Sequence, residues 1–487
     1  MLKVKEKSFL YLCAFPLNEQ YCFTPYSPPL LFSLPTPYSL LPTPLISMSQ
    51  LQLLVLSNGH GEDAIATRIL KSLQQLPHPP SIFALPLVGE GYAYQKLDIP
   101  IIGGVQTMPS GGFVYMDGRQ LMRDVKGGLI KLTLKQIQTT KSWVKAQKQA
   151  GHRSAILAVG DIVPLLFAWV SGANYAFVGT AKSEYYVRDE SGLIKRTNKG
   201  ANWENFSGSI YHPWERWLMT HRRCKAVFPR DSLTTEILQK MHVPAFDMGN
   251  PMMDGLEPSF PTHRFYNTNI EHEETIRPLV ITLLPGSRIP EAYDNWEQIM
   301  IAMSSIMGNM REPNYAGHTS GNVLFLGALA PNLDCHILTQ AMTNQGWHPH
   351  PLAEFPIKFS DNQALTFKNK NAYLILTQNA YNDCLHLADA ALAMAGTATE
   401  QFVGLGKPAF TIPGKGPQFN PGFAEAQSRH LGDSIILVKE AADMGKQMRT
   451  FFANPDKFHV VAKNGLRRMG KPGAAERIAQ CMIDKLG

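Results

Sequence analysis

The sequence predicts an α/β protein built from two Rossmann-like, doubly wound domains that face a cleft. Three observations predict it. From Leu51 onward, short apolar runs alternate with helical stretches. Between Gly255 and Pro278 that alternation stops in EPSFPTHRFYNTNIEHEETIRP, which has no periodicity and reads as a linker. A second alternating set then begins. A chain of 487 residues is too long for one core, which agrees with two domains and extras. With 44% hydrophobic and 17% charged residues, the composition is that of a globular protein.

Residues 1–47 are set apart. They are rich in Pro, Leu, Tyr and Ser, and prolines interrupt every apolar run. They contain no continuous signal-peptide core and no stretch of about 20 apolar residues that could span a bilayer. They are expected to be a disordered or mis-started leader. The first domain is assigned to 48–255. LQLLVL reads as a strand leading to a helix through Leu76, and SIFALPLVG as the next strand. A helical stretch runs from about Gly118 to Ala150. AILAVGD is a buried strand ending in an acid, and NYAFVG is another. KAVFPRD and PAFDMGNP are apolar runs that end in polar turns. DIVPLLFAWVSGANYAFVG carries no charge after its first residue, yet Pro164, Gly172 and Asn174 favour a buried helix followed by a strand over a membrane span. The linker is 256–277. The second domain, 278–470, contains LVITLLPGSR, VLFLGAL, AYLILTQ, AALAMAGTATE and PAFTIPG, and 471–487 forms a final amphipathic helix. Such a pair of domains implies a cleft between the carboxyl ends of both sheets.

The opening loop, SNGHGEDAIA, has the spacing G-x-G-x-x-A of a dinucleotide-binding turn. Glu62 and Asp63 argue against that role, because a pyrophosphate at this helix start would meet like charges. The acid expected about 20 residues later is also missing, since Ala84-Leu85-Pro86 stands there. The oxidoreductase reading therefore loses, and an acidic loop here can deprotonate or orient a sugar hydroxyl.

Phosphate chemistry is concentrated in the second half. In Pro285-Gly286-Ser287-Arg288 a strand ends in a glycine that admits a ligand, a hydroxyl, and a guanidinium fork suited to phosphate oxygens. An ordinary turn with a surface Arg would look the same. Gly396 precedes Thr397 and Thr399 at a helix start, where free amides attract anions. Glu400 could hold a ribose diol, or simply stabilise the helix start as a carboxylate. Gln418 and Asn420 lie in a Gly/Pro loop suited to sugar hydroxyls or phosphate, or to turn chemistry alone.

The order strand-LLPGSR, strand-AGTATE, then a Q-x-N loop resembles the donor domain of GT-B glycosyltransferases, and more closely the lipid-A-disaccharide synthase family. LLPGSR is followed by Glu291, as in that family. AGTATEQ is similar to its SGTATLE, DMGNP to its VGHP, and LVGEGYAYQKLDIP to its glycine-rich turn. The resemblance runs from Leu51 to about Leu437. The sequence departs from the pattern at SNGHGED, where the family has G-E-x-S-G-D, and at AVGDIVP, where a single acid, Asp161, replaces a paired one. It departs again at Asn250, which replaces a His. The resemblance implies an inverting hexosyltransferase of the GT-B type. It would move a sugar of the N-acetylglucosamine type, acylated or not, from a UDP-sugar substrate to a lipid-linked or phosphorylated sugar acceptor. No cofactor is implied. The first domain would hold the acceptor and the second the donor. Asp161 is the expected base, with Asp63 next and His60 as an orienting partner. A helix cap is the plainer role for Asp161, and a turn histidine the plainer role for His60. Arg288 and the helix start at Gly396 to Thr399 would stabilise the departing UDP. Two alternatives stay open: an enzyme like the UDP-N-acetylglucosamine 2-epimerases, and a non-catalytic nucleotide-sugar-binding protein.

Lys plus Arg total 46 and Asp plus Glu 39, a balance that suits phosphate-bearing substrates or anionic surfaces. Between Arg119 and Lys148 eight basic residues face one acid, Asp124, among apolar residues at near-helical spacing. That stretch suits anionic lipid or acceptor phosphate, although a solvated helix face is the commoner arrangement. Peripheral contact with the cytoplasmic face of a membrane is expected on this reading, and a spanning segment is not. The sequence carries no nucleic-acid motif, no Asp-x-Asp and no His/Cys cluster, so no metal is required. Six scattered cysteines without CxxC read as reduced thiols of a cytoplasmic protein.

Overall fold

Leu53, Val55, Leu54 and Leu56 alternate between the two faces of one strand, and all four are buried. A strand buried on both sides belongs in the middle of a parallel sheet covered by helices. The computed structural model places it there. It describes residues 50–104, 129–194, 206–259, 278–309, 322–352, 355, 357 and 359–487. The leader 1–47, most of the linker and the start of the basic stretch lie outside the described residues.

The first lobe comprises β1 (Gln52–Ser57), α1 (His60–Gln74), β2 (Ser81–Pro86), α2 (Tyr92–Gln95), α3 (Leu129–Gln149), β3 (Ser154–Gly160), α4 (Ile162–Ser171), β4 (Asn174–Gly179), a small hairpin of β5 (Arg188–Asp189) and β6 (Gly192–Leu193), α5 (Pro213–Thr220), β7 (Cys224–Phe228) and α6 (Ser232–Lys240). Its sheet has five strands in the order β2-β1-β3-β4-β7, all parallel. The run PAFDMGNP forms no strand of its own. It touches the sheet edge through a single bridge from Ala245 to Val227.

The second lobe comprises β8 (Leu279–Leu284), α7 (Glu291–Asn309), β9 (Val323–Ala328), α8 (Cys335–Thr343), β10 (His348–Pro349), β11 (Leu365–Asn369), β12 (Ala372–Thr377), α9 (Tyr381–Leu387), β13 (Ala390–Ala393), α10 (Thr397–Gly404), β14 (Ala409–Thr411), α11 (Pro421–Leu431), β15 (Ile435–Leu437), α12 (Met444–Phe452), α13 (Asp456–Met469) and α14 (Ala474–Leu486). Its sheet runs β10-β11-β12-β9-β8-β13-β14-β15. The six strands from β12 to β15 are parallel, while β11 and β10 add an antiparallel edge.

Helices cover both faces of each sheet, as the buried strands require. On one face of the first sheet, Ile65, Ile69 and Leu73 of α1 pack at helical spacing over Val55 and Leu157. On the other face, Trp143 of α3 and Leu165 of α4 pack over Leu54 and Ile156. The second sheet is covered by α7 through Trp296, Ile299 and Met303 on one face, and by α10 through Phe402 and Val403 on the other.

The chain crosses back at the end. Ala475, Ile478, Ala479 and Met482 of α14 belong to the first lobe's core, although α14 follows the second lobe in sequence. Asp254 seats this helix. Its Oδ1 accepts from the backbone N of Gly473 at 2.5 Å and Ala474 at 3.1 Å, and its Oδ2 from Ala475 N at 2.7 Å. A carboxylate at a helix start satisfies amides that have no partner within the helix. Among the described residues the cysteines are free, and no helix is long and apolar enough to cross a membrane.

Candidate functional site

The residues singled out from the sequence sit just beyond the carboxyl ends of parallel strands or at the helix starts that follow. In folds of this type that is where ligands bind. In the first lobe, β1 ends at Ser57 and the chain turns through Asn58 into α1, whose first turn carries Glu62 and Asp63. His60 heads that helix, and its side chain lies outside the described residues.

Asp161 is the N-cap of α4. Its Oδ1 accepts from Val163 N at 2.8 Å and from Asn58 Nδ2 at 2.6 Å. The plainer role, a helix cap, is therefore occupied, and Asn58 ties the cap to the end of β1. Burial raises the Asp161 pKa, while the bonds from Val163 and Asn58 pull it down. Asp63 turns back toward the sheet. Ser57 Oγ donates to its Oδ1 at 2.5 Å, and Ser57 also lies 2.6 Å from the Tyr94 hydroxyl. Burial pushes Asp63 up to about 6. Glu62 is raised to about 6 as well, chiefly by burial and further by the charges of Asp161 and Asp63. These three carboxyl groups crowd the ends of β1 and β3, and Thr180 at the end of β4 reaches Glu62 Oε1 at 3.5 Å. Glu62 and Asp63, with pKa near 6, sit where a carboxylate is both ionised at neutral pH and able to take up a proton.

In the second lobe, three segments converge on the ends of β8, β13 and β14. Gly286 adopts φ +94°, and a Cβ there would lie 3.3 Å from the Met394 carbonyl. That is a close approach which only glycine makes without strain. Asn295 of α7 fixes the same turn by donating to Pro285 O at 3.0 Å and Met394 O at 3.2 Å. Ser287 and Arg288 are exposed on it. Gly396 precedes α10, which starts with exposed Thr397, while Thr399 is buried and donates to Ala395 O at 2.6 Å. Glu291 is not a ligand-facing group, because its carboxylate accepts from the backbone N of Phe419 and Gln418 and holds the 415–420 loop against α7. Asn420 caps α11 by accepting from Phe423 N at 2.9 Å. Gln418 is half-buried in that loop.

Arg230, two residues beyond β7, joins the lobes. Its guanidinium donates to Thr180 O at 3.0 Å and to Glu400 Oε2 at 2.8 Å. Both members of the pair are buried. Burial disfavours the arginine's charge, but Glu400 outweighs it and holds the guanidinium above its ordinary range. On the far side of Glu400, His430 Nε2 lies 3.5 Å from Oε1, and the His430 ring stacks on Tyr186 at 4.7 Å. His430 is fully buried, neither ring nitrogen has a hydrogen-bond partner among the described residues, and its pKa falls well below the usual imidazole range, so it is neutral. The line Glu62–Thr180–Arg230–Glu400 thus connects the acids of the first lobe to the helix start of the second.

Reading the sequence alone misses Arg230 and His430, and it treats Glu62 only as an obstacle to phosphate. Arg230 had a signal, since KAVFPRD ends a parallel strand just as AVGD does. His430 had none, because it sits in the last turn of an amphipathic helix. Among the described residues no cluster of His, Cys, Asp or Glu forms a metal-binding group.

No protein-family model matches the chain, and no curated protein sequence matches it. Solved structures resemble it. MurG from Acinetobacter baumannii aligns with a TM-score of 0.50 at 14% identity, over 89% of this chain and 99% of that one. The glycotransferase of kitacinnamycin aligns at 0.48 and 11% identity, over 90% and 100%. A UDP-GlcNAc 2-epimerase from Neisseria meningitidis, bound to UDP-GlcNAc, aligns at 0.45 and 12% identity, over 89% and 100%. At such identities the likeness to MurG speaks for the fold alone, and that fold is the GT-B arrangement of two Rossmann-like domains.

Proposed function

We propose that the protein is a UDP-sugar-dependent glycosyltransferase. It passes a hexose of the N-acetylglucosamine type to a lipid-linked or phosphorylated sugar, as in lipid A disaccharide synthesis. The observation that supports this reading is the line of contacts from Glu62 through Thr180 and Arg230 to Glu400, which links the acids of the first lobe to the helix start of α10 in the second. In the reaction, the acceptor hydroxyl oxygen attacks the anomeric carbon as the bond to the UDP oxygen breaks. A carboxylate takes the hydroxyl proton. Asp161 is the preferred base, with Asp63 beside it and His60 orienting the acceptor. UDP departs with the pair of electrons, and its oxygens are met by Arg288, Ser287 and the amides from Gly396 to Thr399. Gln418 and Asn420 border the sugar, while Glu400, expected from the sequence to hold a ribose diol, is engaged by Arg230 and supports the start of α10 instead. No metal or cofactor enters this scheme. The first lobe takes the acceptor and the second the donor.

One observation favours a second reading. His430 lies against Glu400 in the second lobe, and epimerisation at the sugar's second carbon would need such groups on the donor side. A third, a protein that binds nucleotide-sugar without turning it over, rests on the capping bonds that occupy Asp161 Oδ1.

Incubating the protein with UDP-N-acetylglucosamine, with and without a phosphorylated glucosamine lipid, separates them. UDP released only with acceptor supports transfer. An epimerised sugar supports the second reading, and saturable binding without either product supports the third. If neither UDP nor UDP-sugar binds, all three fail.

A further inference from the structure

Asn250 stands where the chain leaves the first lobe for the second. Met248, two residues earlier, packs against the first lobe's core, and Met252, two residues later, belongs to the core of the second. Asn250 itself is only 3% exposed. Its Oδ1 accepts from Met252 N at 3.0 Å and so caps the short turn Pro251–Met253. That bond decides which end of the amide is which, because only the oxygen can accept. The other end, Nδ2, has no hydrogen-bond partner among the described residues. Buried donors without an acceptor are rare and destabilising, so each one asks what completes it.

Asn250 also lines a small cavity at the ends of β4 and β7. Ile65 of α1, Phe228 and Met252 give it apolar walls, and Thr180 and Arg230 line it beside Asn250. It offers about 10 Å³ to the centre of a water-sized group, room for one oxygen and little more. The Asn250 amide nitrogen and the Arg230 guanidinium are donors only, so what fits must accept hydrogen bonds, and the charge of Arg230 disfavours a cation.

Two contacts place this cavity in the cleft chemistry. Thr180 and Arg230 are the middle members of the line from Glu62 to Glu400. Met252, whose N is capped by Asn250, accepts at its O from Gln401 Nε2 of α10 at 2.8 Å. The unpartnered amide is thereby held in a fixed relation to the helix that would receive the diphosphate. A sugar carried by that diphosphate brings hydroxyl and amide oxygens to the same junction.

We propose that this cavity is a subsite for one hydrogen-bond-accepting oxygen of the nucleotide-linked sugar, a hydroxyl or an amide carbonyl, and that Asn250 is the specificity-determining donor to it. The inference deepens the UDP-sugar reading and rests on it.

The test is calorimetry of the full chain with UDP, UDP-glucose and UDP-N-acetylglucosamine. Asn250→Asp keeps the capping oxygen and loses the donor, and Asn250→Ser keeps a capping oxygen without adding charge. Unchanged far-ultraviolet circular dichroism and melting confirm the fold in at least one of them. UDP affinity should stay as in the parent, while UDP-N-acetylglucosamine affinity falls by about tenfold to a hundredfold. A loss confined to UDP-N-acetylglucosamine identifies the amide carbonyl as the oxygen, and an equal loss with UDP-glucose identifies a hydroxyl. The proposal is overturned if a folded variant binds UDP-N-acetylglucosamine as tightly as the parent. It is equally overturned if UDP affinity falls by the same factor, since the amide would then act only through the turn. In both cases UDP-sugar binding by the parent leaves the underlying reading standing. A parent that binds none of the three ligands removes both.

Discussion

Arg230 and Glu400 lie 170 positions apart in sequence and meet across the two lobes at 2.8 Å, both buried. Removing one partner from a buried pair leaves the other charged and unsatisfied, at a cost of about 3–5 kcal/mol, whereas replacing both with apolar residues of similar size costs much less. Arg230→Met should therefore lower unfolding stability strongly in urea titrations, and adding Glu400→Met should recover most of the loss. Additive losses in the double variant would show that the two side chains are not coupled.

The acids at the ends of β1 and β3 give a signed pH dependence. Asp63 is raised from 3.8 to about 6, so the native state holds a proton that the unfolded chain releases. Its contribution to stability is complete below pH of about 4 and is lost as pH rises through about 6, by roughly 3 kcal/mol. Urea midpoints measured across that window should fall with rising pH, and Asp63→Asn should flatten the fall. If turnover uses Glu62 or Asp63 as base, its acid limb should also lie near 6 rather than near 4.

Asn caps helices as well as Asp does, so Asp161→Asn should keep the bond to Val163 and the fold while removing the negative charge. We expect unchanged UDP affinity in calorimetry and loss of turnover. Arg288→Ala is the complement: its side chain is exposed, so stability should hold while UDP affinity falls by about tenfold to a hundredfold. Equal UDP affinity in Arg288→Ala would remove that arginine from the donor site.

Gly286→Ala forces a Cβ onto a residue at φ +94° and against the Met394 carbonyl. The cost is about 1–2 kcal/mol of backbone strain. Because the strain falls on the turn carrying Ser287 and Arg288, UDP affinity should drop together with stability, unlike in Arg288→Ala.

Asp254→Ala deprives three amides at the start of α14 of their acceptor. A loss of about 1–2 kcal/mol is expected in thermal or urea unfolding, with faster hydrogen exchange concentrated in α14.

What could be read from the sequence was whatever depends on local pattern. Strands such as LQLLVL and AILAVG are buried on both faces and so appear as uninterrupted apolar runs, and the helix and strand in DIVPLLFAWVSGANYAFVG separate where Gly172 ends the helix with a positive φ. The antiparallel strand LTFKN was not legible, because a half-exposed edge lacks that run. The strand-end acids were visible by position, but their chemistry was not. The pKa of Glu62 depends on burial and on Asp161, about 100 residues away in sequence. Arg230 could be seen as a strand-end cation, yet nothing local to it names Glu400 as its partner.

The seating of α14 bears on how the protein is made. Five parallel strands of the first lobe are translated long before Ile478 and Met482, the side chains that close one wall of their core. During synthesis on the ribosome that wall stays open while the whole second lobe emerges, so Val178 of β4 and Phe228 of β7, strands on which α14 packs, must be shielded by other means, chaperone capture included. Early folding of the first lobe as a finished unit is ruled out by its own architecture.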